Sequence, residues 1–152
     1  ELIYVADTSA PKEYRIGRFL PATPIRLLLD KNGGDLGASV SYDSLNPQLS
    51  PVGRHVASKI AKASQALVHQ LIQQGDEKAQ LRLEKLKGDA REAMSKTLDE
   101  ELERLEDLKA VNPNIRDAEL DHLRKQQRQL AGFIDKAQIR LDALRLIVVT
   151  PE

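Results

Sequence analysis

The sequence contains no cysteine, which excludes disulfides and thiolate metal sites and fits a reducing compartment. Aromatic residues make up only 3% of it, so little is available for stacking on nucleic-acid bases. No apolar run approaches the roughly 20 residues needed to cross a bilayer. The opening Glu1-Leu2-Ile3-Tyr4-Val5 has neither an initiator Met nor a signal-peptide pattern. A chain that starts inside a strand-like run is expected to be cut from a longer protein. Net charge is absent as well: Lys plus Arg number 23 and Asp plus Glu number 23, so any electrostatic argument must be regional. No glycine is followed by Lys and then Ser or Thr, which removes the phosphate-cradling P-loop.

What is present is a chain of 152 residues, 41% of them hydrophobic, enough for one domain with a real core. Residues 1–50 read as β-rich. Leu2–Ala6 is a short apolar run, and Tyr14, Ile16, Arg18 and Leu20 share one side of a possible strand. Ile25–Asp30 and Leu36–Tyr42 alternate on either side of Asn32-Gly33, a strong hairpin signal.

Helical periodicity then takes over across 51–110, as one long or kinked helix. Val52, Val56, Ile60, Ala63, Leu67 and Leu71 form one stripe, with Ser50 as N-cap, Pro51 in the first turn, and Gly75 as an end or a weak point. Leu83 through Leu108 continue at helical spacing until Asn112-Pro113-Asn114 breaks the pattern. Residues 116–145 carry a heptad seam, Leu120, Leu123, Gln127, Leu130, Ile134, Ala137, Leu141 and Leu144. Gln127, its one polar member, either fixes register or sits where the hairpin is open to water. Residues 146–150, with Leu146-Ile147-Val148-Val149, read as a closing strand buried on both faces. The expected fold is therefore α+β: a small, mostly antiparallel sheet built from both chain ends, with a long antiparallel helical hairpin inserted between them.

Chemistry-bearing constellations are sparse. Gly33, Gly34 and Gly37 lie in a hairpin, not between a strand and a helix, so they do not read as a dinucleotide fingerprint. His55, His69 and His122 lack zinc-ligand spacing and read as helix-surface histidines. The carboxylates of 99–107 diverge around a rod and read as a solvated helix face. No catalytic, cofactor-binding or metal-ligating residue is expected.

Charge distribution says more. Residues 51–75 hold Arg54, Lys59 and Lys62 and no acid; residues 76–110 hold 8 bases and 11 acids; residues 111–145 hold 7 bases and 5 acids. His55, Lys59, Lys62 and His69 share a face beside the apolar stripe, and Arg124, Lys125 and Arg128 cluster off the heptad seam. Arg54, Lys59 and Lys62 are the candidate partner-binding residues. The competing reading is solubilising charge, or pairing with the acidic helix.

Four segments carry a wider likeness: Arg18-Phe19-Leu20-Pro21 with Thr23–Gly33, Arg54-His55, Leu105–Leu120 around Asn112-Pro113-Asn114-Ile115-Arg116, and Arg140–Thr150. Together they resemble the C-terminal domain of the RapA family of bacterial RNA polymerase-associated recycling proteins, over nearly the whole chain. The resemblance implies a parent ATPase of the SWI/SNF helicase-like class. Such a parent binds RNA polymerase and DNA or RNA, uses ATP and magnesium in motor domains upstream, and works in the bacterial cytoplasm with the nucleoid transcription machinery. Those motor motifs are not in this chain, so no catalytic residue carries over. Thr150-Pro151-Glu152 reads as the natural end of such a protein.

The expected function is a non-catalytic structural and interaction domain, contacting partners or the rest of its own chain and not a membrane. A free-standing coiled-coil adaptor or cochaperone-like protein is the alternative. A small hydrolase is disfavoured, because no nucleophile or metal constellation is present.

Overall fold

The computed structural model describes residues 1–150; Pro151 and Glu152, part of the expected natural end, lie outside the described residues. The elements run β1 (Leu2–Asp7), β2 (Thr23–Leu27), α1 (Tyr42–Leu45), α2 (Arg54–Ala63), α3 (Gln65–Val111), α4 (Asp117–Asp135) and β3 (Gln138–Leu144). Both chain ends supply a three-stranded antiparallel sheet in the order β2-β1-β3, and the long α3 with α4 lies between them in sequence. This is the α+β architecture that the periodicities predict. The chain divides into two compact units, 1–5 with 24–81 and 140–152, and 6–23 with 82–139.

The first unit is organised by alternation. Leu2 and Tyr4 of β1 are buried, and so are Ile25 and Leu27 of β2. Leu2 and Tyr4 pack on the N-terminal half of α3 at Gly75. A Cβ on Gly75 would overlap Leu2 Cδ1 and lie 2.8 Å from Tyr4 Oη. Tyr4 Oη also donates to Asp76 Oδ1 at 2.7 Å, pinning strand to helix at that level. Burial first, and then this bond to Asp76, raise the Tyr4 pKa above its ordinary value. α3 therefore runs through Gly75 without a break, and the glycine marks a close approach.

The expected hairpin is there in miniature. Asp30 Oδ1 accepts from the backbone N–H groups of Asn32 and Gly34, Gly33 takes φ +85°, and Leu29 bridges Asp35. Leu36–Tyr42 does not continue as a strand. Asp35 Oδ1 accepts from the N–H groups of Leu28 and Gly37, and the Val40 N–H turns back to the Leu36 carbonyl. The local side-chain bond competes with the ladder and ends it. Ser41 then caps α1.

The helical stretch also begins and breaks elsewhere than periodicity predicts. α2 starts after Gly53, not Ser50. The break falls at Ser64, whose backbone leaves the helical region at φ −96°, ψ 4°.

In the second unit, Ala90, Met94 and Leu98 of α3 are buried, as are Leu120, Leu130 and Ile134 of α4. Cross-helix pairs set the register. Arg91 pairs with Asp135, Asp99 accepts from Gln127, and Lys109 pairs with Asp117. α3 thus advances 8 and then 10 residues while α4 retreats by the same numbers. Both features expected of Gln127 occur together: its Nε2 donates to Asp99 Oδ1 at 2.9 Å across the helix pair, and the bond is open to water. Residues 12–14 and 16–18 form two 3₁₀ turns joined at Arg15 (φ +47°), not the strand that Tyr14, Ile16 and Arg18 suggest. Tyr14 instead stacks on Phe133, with ring centroids 5.1 Å apart, and donates to Gln129.

The largest correction concerns the C-terminal part. The helix expected over 116–145 ends at Asp135, and Leu141 and Leu144 belong to β3. Ile139, Leu141 and Ala143 alternate with Gln138, Arg140 and Asp142, so a period of two was present beneath the heptad count. Pairing along β1 decides between them: Arg145 and Glu1 exchange both backbone hydrogen bonds where the two strands end. The closing strand is therefore 138–144, and residues 146–150 are irregular. Leu146, Val148 and Val149 are exposed, Val149 at 90%, so the segment is not buried on both faces.

Gly75→Ala and Gly88→Ala are expected to move stability in opposite directions. Nothing lies within 4 Å of a Cβ at Gly88, so alanine there should add about 1 kcal/mol of helix propensity. At Gly75 the same gain is outweighed by overpacking of about 1–3 kcal/mol against two buried side chains. Urea denaturation of the two variants checks this.

Candidate partner-docking surface

The segment leading into α2 is held by an ionic cluster in the first unit. The Glu1 carboxylate, 3% exposed, lies between Arg26 Nε and Arg145 Nη2, the latter at 2.6 Å. Arg26 Nη1 also donates to the Val40 carbonyl, and Arg145 donates to Asn46 Oδ1 at 2.9 Å. The Arg145 guanidinium lies 5.5 Å from the centroid of the Tyr42 ring. One acid and two arginines thus join the sheet to α1 and the turn after it, from which residues 49–53 run to α2. Burial raises the Glu1 pKa and is the largest single influence, but Arg26 and Arg145 together outweigh it and hold the carboxyl below its ordinary value.

α2 is the most sharply amphipathic helix of the chain, yet it buries no residue. Val56 is 51% exposed, Val52 just before the helix is 52% exposed, and Ile60 is half-buried. Arg54, Lys59 and Lys62 are exposed, and among the described residues none of the three makes an ion pair. They do not form one face. At about 100° per residue, His55, Lys59 and Lys62 fall within about 60° of one another along one flank of the apolar stripe. Arg54 turns further toward the back. Arg54 and His55 also occupy the first turn, where the helix dipole disfavours positive charge, and Gly53 supplies no side-chain cap. Sequence reasoning found the residues and the stripe; the lack of any burial was not legible, because an amphipathic pattern ordinarily predicts a covered face.

The second basic cluster is built differently. Arg124 bonds Glu106 at 2.9 Å across the helix pair and also reaches Asp121, so it is partly committed to internal pairing. Lys125 and Arg128 are exposed beside it. Within 99–107, Asp99, Glu101 and Glu106 are engaged by Gln127, Arg18 and Arg124. Glu100, Glu103 and Asp107 line an open depression with Arg104, Leu108 and Val111. Lys109 holds the exposed Asp117 carboxyl below its ordinary value. His55, His69 and His122 are exposed on α2, α3 and α4, and no group of three potential ligands that could hold a metal ion occurs among the described residues. Among those residues, too, no helix is long and apolar enough to cross a membrane.

These features define an α+β module that presents an exposed amphipathic helix. The chain matches the model of the RNA polymerase recycling family C-terminal domain (RapA_C) over residues 1–149, and it belongs to that family.

The Glu1 cluster gives a pH-dependent expectation. A carboxyl whose pKa is lowered on folding contributes stability above its unfolded pKa and loses it as pH falls through the lower folded value. Glu1→Gln should therefore cost about 1.5–3 kcal/mol at neutral pH, the usual worth of charge-assisted hydrogen bonds. The difference from the parent chain should shrink below about pH 4. Melting curves of both chains across that range check it.

Proposed function

We propose that this chain is a non-catalytic docking domain of an ATP-dependent RNA polymerase recycling factor. ATP, magnesium and the helicase-like motor belong to other parts of the protein, which acts on DNA or RNA in the bacterial cytoplasm. The residues we assign to docking are Arg54, Lys59 and Lys62 on α2. The observation that carries the reading is a basic, amphipathic helix left exposed and, among the described residues, without ion pairs, in a chain whose net charge is zero. Family membership supplies the context of polymerase recycling.

Physics limits how much of this surface nucleic acid alone explains. Three phosphate contacts give a log–log salt slope of only about −3 on duplex DNA, which is weak binding that salt removes readily. No Tyr, Phe or Trp lies between Tyr42 and Phe133, so base stacking does not strengthen it.

The isolated chain is expected to hydrolyse no ATP, since its sequence has no phosphate cradle and no magnesium-binding motif. Turnover above a blank in contaminant-free protein would refute the non-catalytic reading. In the full-length protein, Arg54→Glu/Lys59→Glu/Lys62→Glu should leave stability intact and weaken binding of either polymerase or DNA. If stability and both binding activities are unchanged, α2 is a solvated face and not a docking surface.

A further inference from the structure

We infer that α2 docks on an acidic-rimmed apolar groove of a protein, RNA polymerase itself, with Val56 and Ile60 entering the groove and Lys59 and Lys62 meeting its acidic edge. The inference rests on the reading of α2 as a docking surface and narrows what it binds.

Charge complementarity defines the occupant. Between Asp43 and Asp76 the sequence has no acidic residue. The segment carries Arg54, Lys59 and Lys62, with His55 and His69 beside them, and the three stronger bases have no ion pair among the described residues. Arg54 sits in the first turn, so its charge adds to the positive end of the helix dipole. Every electrostatic feature of the helix therefore favours an anionic partner.

The apolar stripe selects among anionic partners. Val56 and Ile60 lie one turn apart, with Val52 preceding them, and Val52 and Val56 each leave half their surface in water. A phosphate backbone offers nothing apolar to cover them. A protein groove does, and i, i+4 anchors on an amphipathic helix are the usual way such grooves are filled. A bilayer surface fits less well. The helix has only 10 residues, and its apolar side carries Val, Ile and Ala with none of the Trp, Phe or Leu that anchor interfacial helices. The face of α3 at Glu100, Glu103, Asp107, Leu108 and Val111, with Arg104 among them, carries three acids beside two apolar side chains that α2 of a second copy of this chain could meet, so self-association is a competing outcome.

The test uses the full-length protein, with RNA polymerase and a short duplex DNA as the two probes. Val56→Ser/Ile60→Ser is compared with Lys59→Glu/Lys62→Glu. The expected result is that both variants weaken polymerase binding about tenfold or more, the loss typical of removing anchor residues. The serine variant should leave DNA binding and the melting temperature unchanged. If the serine variant itself lowers the melting temperature, the near-isosteric Val56→Thr decides in its place. Unchanged polymerase binding in the serine variant, with DNA binding weakened by the glutamate variant, overturns the inference while leaving α2 a docking surface. No effect of either variant on either probe overturns both. Concentration-dependent dimers that the serine variant abolishes, with polymerase binding intact, replace polymerase with a second copy and also overturn the inference.

Discussion

Gly75 lets a strand lie almost directly on a helix backbone. Leu2 and Tyr4 of β1 occupy the space a Cβ would need, and Tyr4 continues to Asp76 one residue on. β1 is the central strand, with β2 and β3 on either side, so what fixes β1 fixes the sheet. A glycine in a long exposed helix would be only a weakness of about 1 kcal/mol. Here the lost propensity is offset by the burial of Leu2 and Tyr4, which are 4% and 1% exposed.

A second constraint follows from the central position of β1. Glu1, just before β1, presents a carboxylate to Arg26 of β2 on one side and to Arg145 just after β3 on the other. A half-buried arrangement of one acid and two bases costs less where the remaining donors find acceptors. The Val40 carbonyl accepts from Arg26 Nη1 and Asn46 Oδ1 from Arg145 Nη1, while Arg145 Nε is buried with no acceptor among the described residues. Both acceptors lie on the stretch between β2 and α2, so the sheet's ion pairs add to that stretch's own turn and helix hydrogen bonds in positioning it.

The readable parts of the sequence were those where one periodicity acted alone. Leu2, Tyr4 and Ala6 alternate and form a strand; Ala90, Met94 and Leu98 step by four and form a buried helix face. Errors arose where two patterns overlapped or where a side chain made a local bond. Residues 138–144 satisfy a heptad and an alternation together, and only pairing with β1 chooses between them. Leu36–Tyr42 alternates, but Asp35 bonds the backbone on both sides of itself and folds the chain away. Ser64 breaks the helical stretch although Gly75, a far weaker helix former, does not. Propensity is a local quantity, whereas the close approach at Gly75 is a tertiary one. For the docking surface, residue identities and the lack of acids were legible, and the absence of any cover was not.

Zero net charge conceals an uneven division of labour. In the second unit several bases have local uses: Arg18 with Glu101, Arg91 with Asp135, Lys109 with Asp117 and Arg124 with Glu106. Exposed pairs of this kind contribute little each, about 0–1 kcal/mol, but they keep opposite charges adjacent and set the register of two helices. Among the described residues, α2 makes no such pair. Its charges are not consumed by register, its apolar stripe is not consumed by a core, and its first turn places Arg54 against the dipole. A segment shaped only by the stability of this chain would cap that turn with Ser or Asp and alternate its charges. α2 departs from that pattern in both its cap and its charges, which is where selection for something other than folding is to be sought.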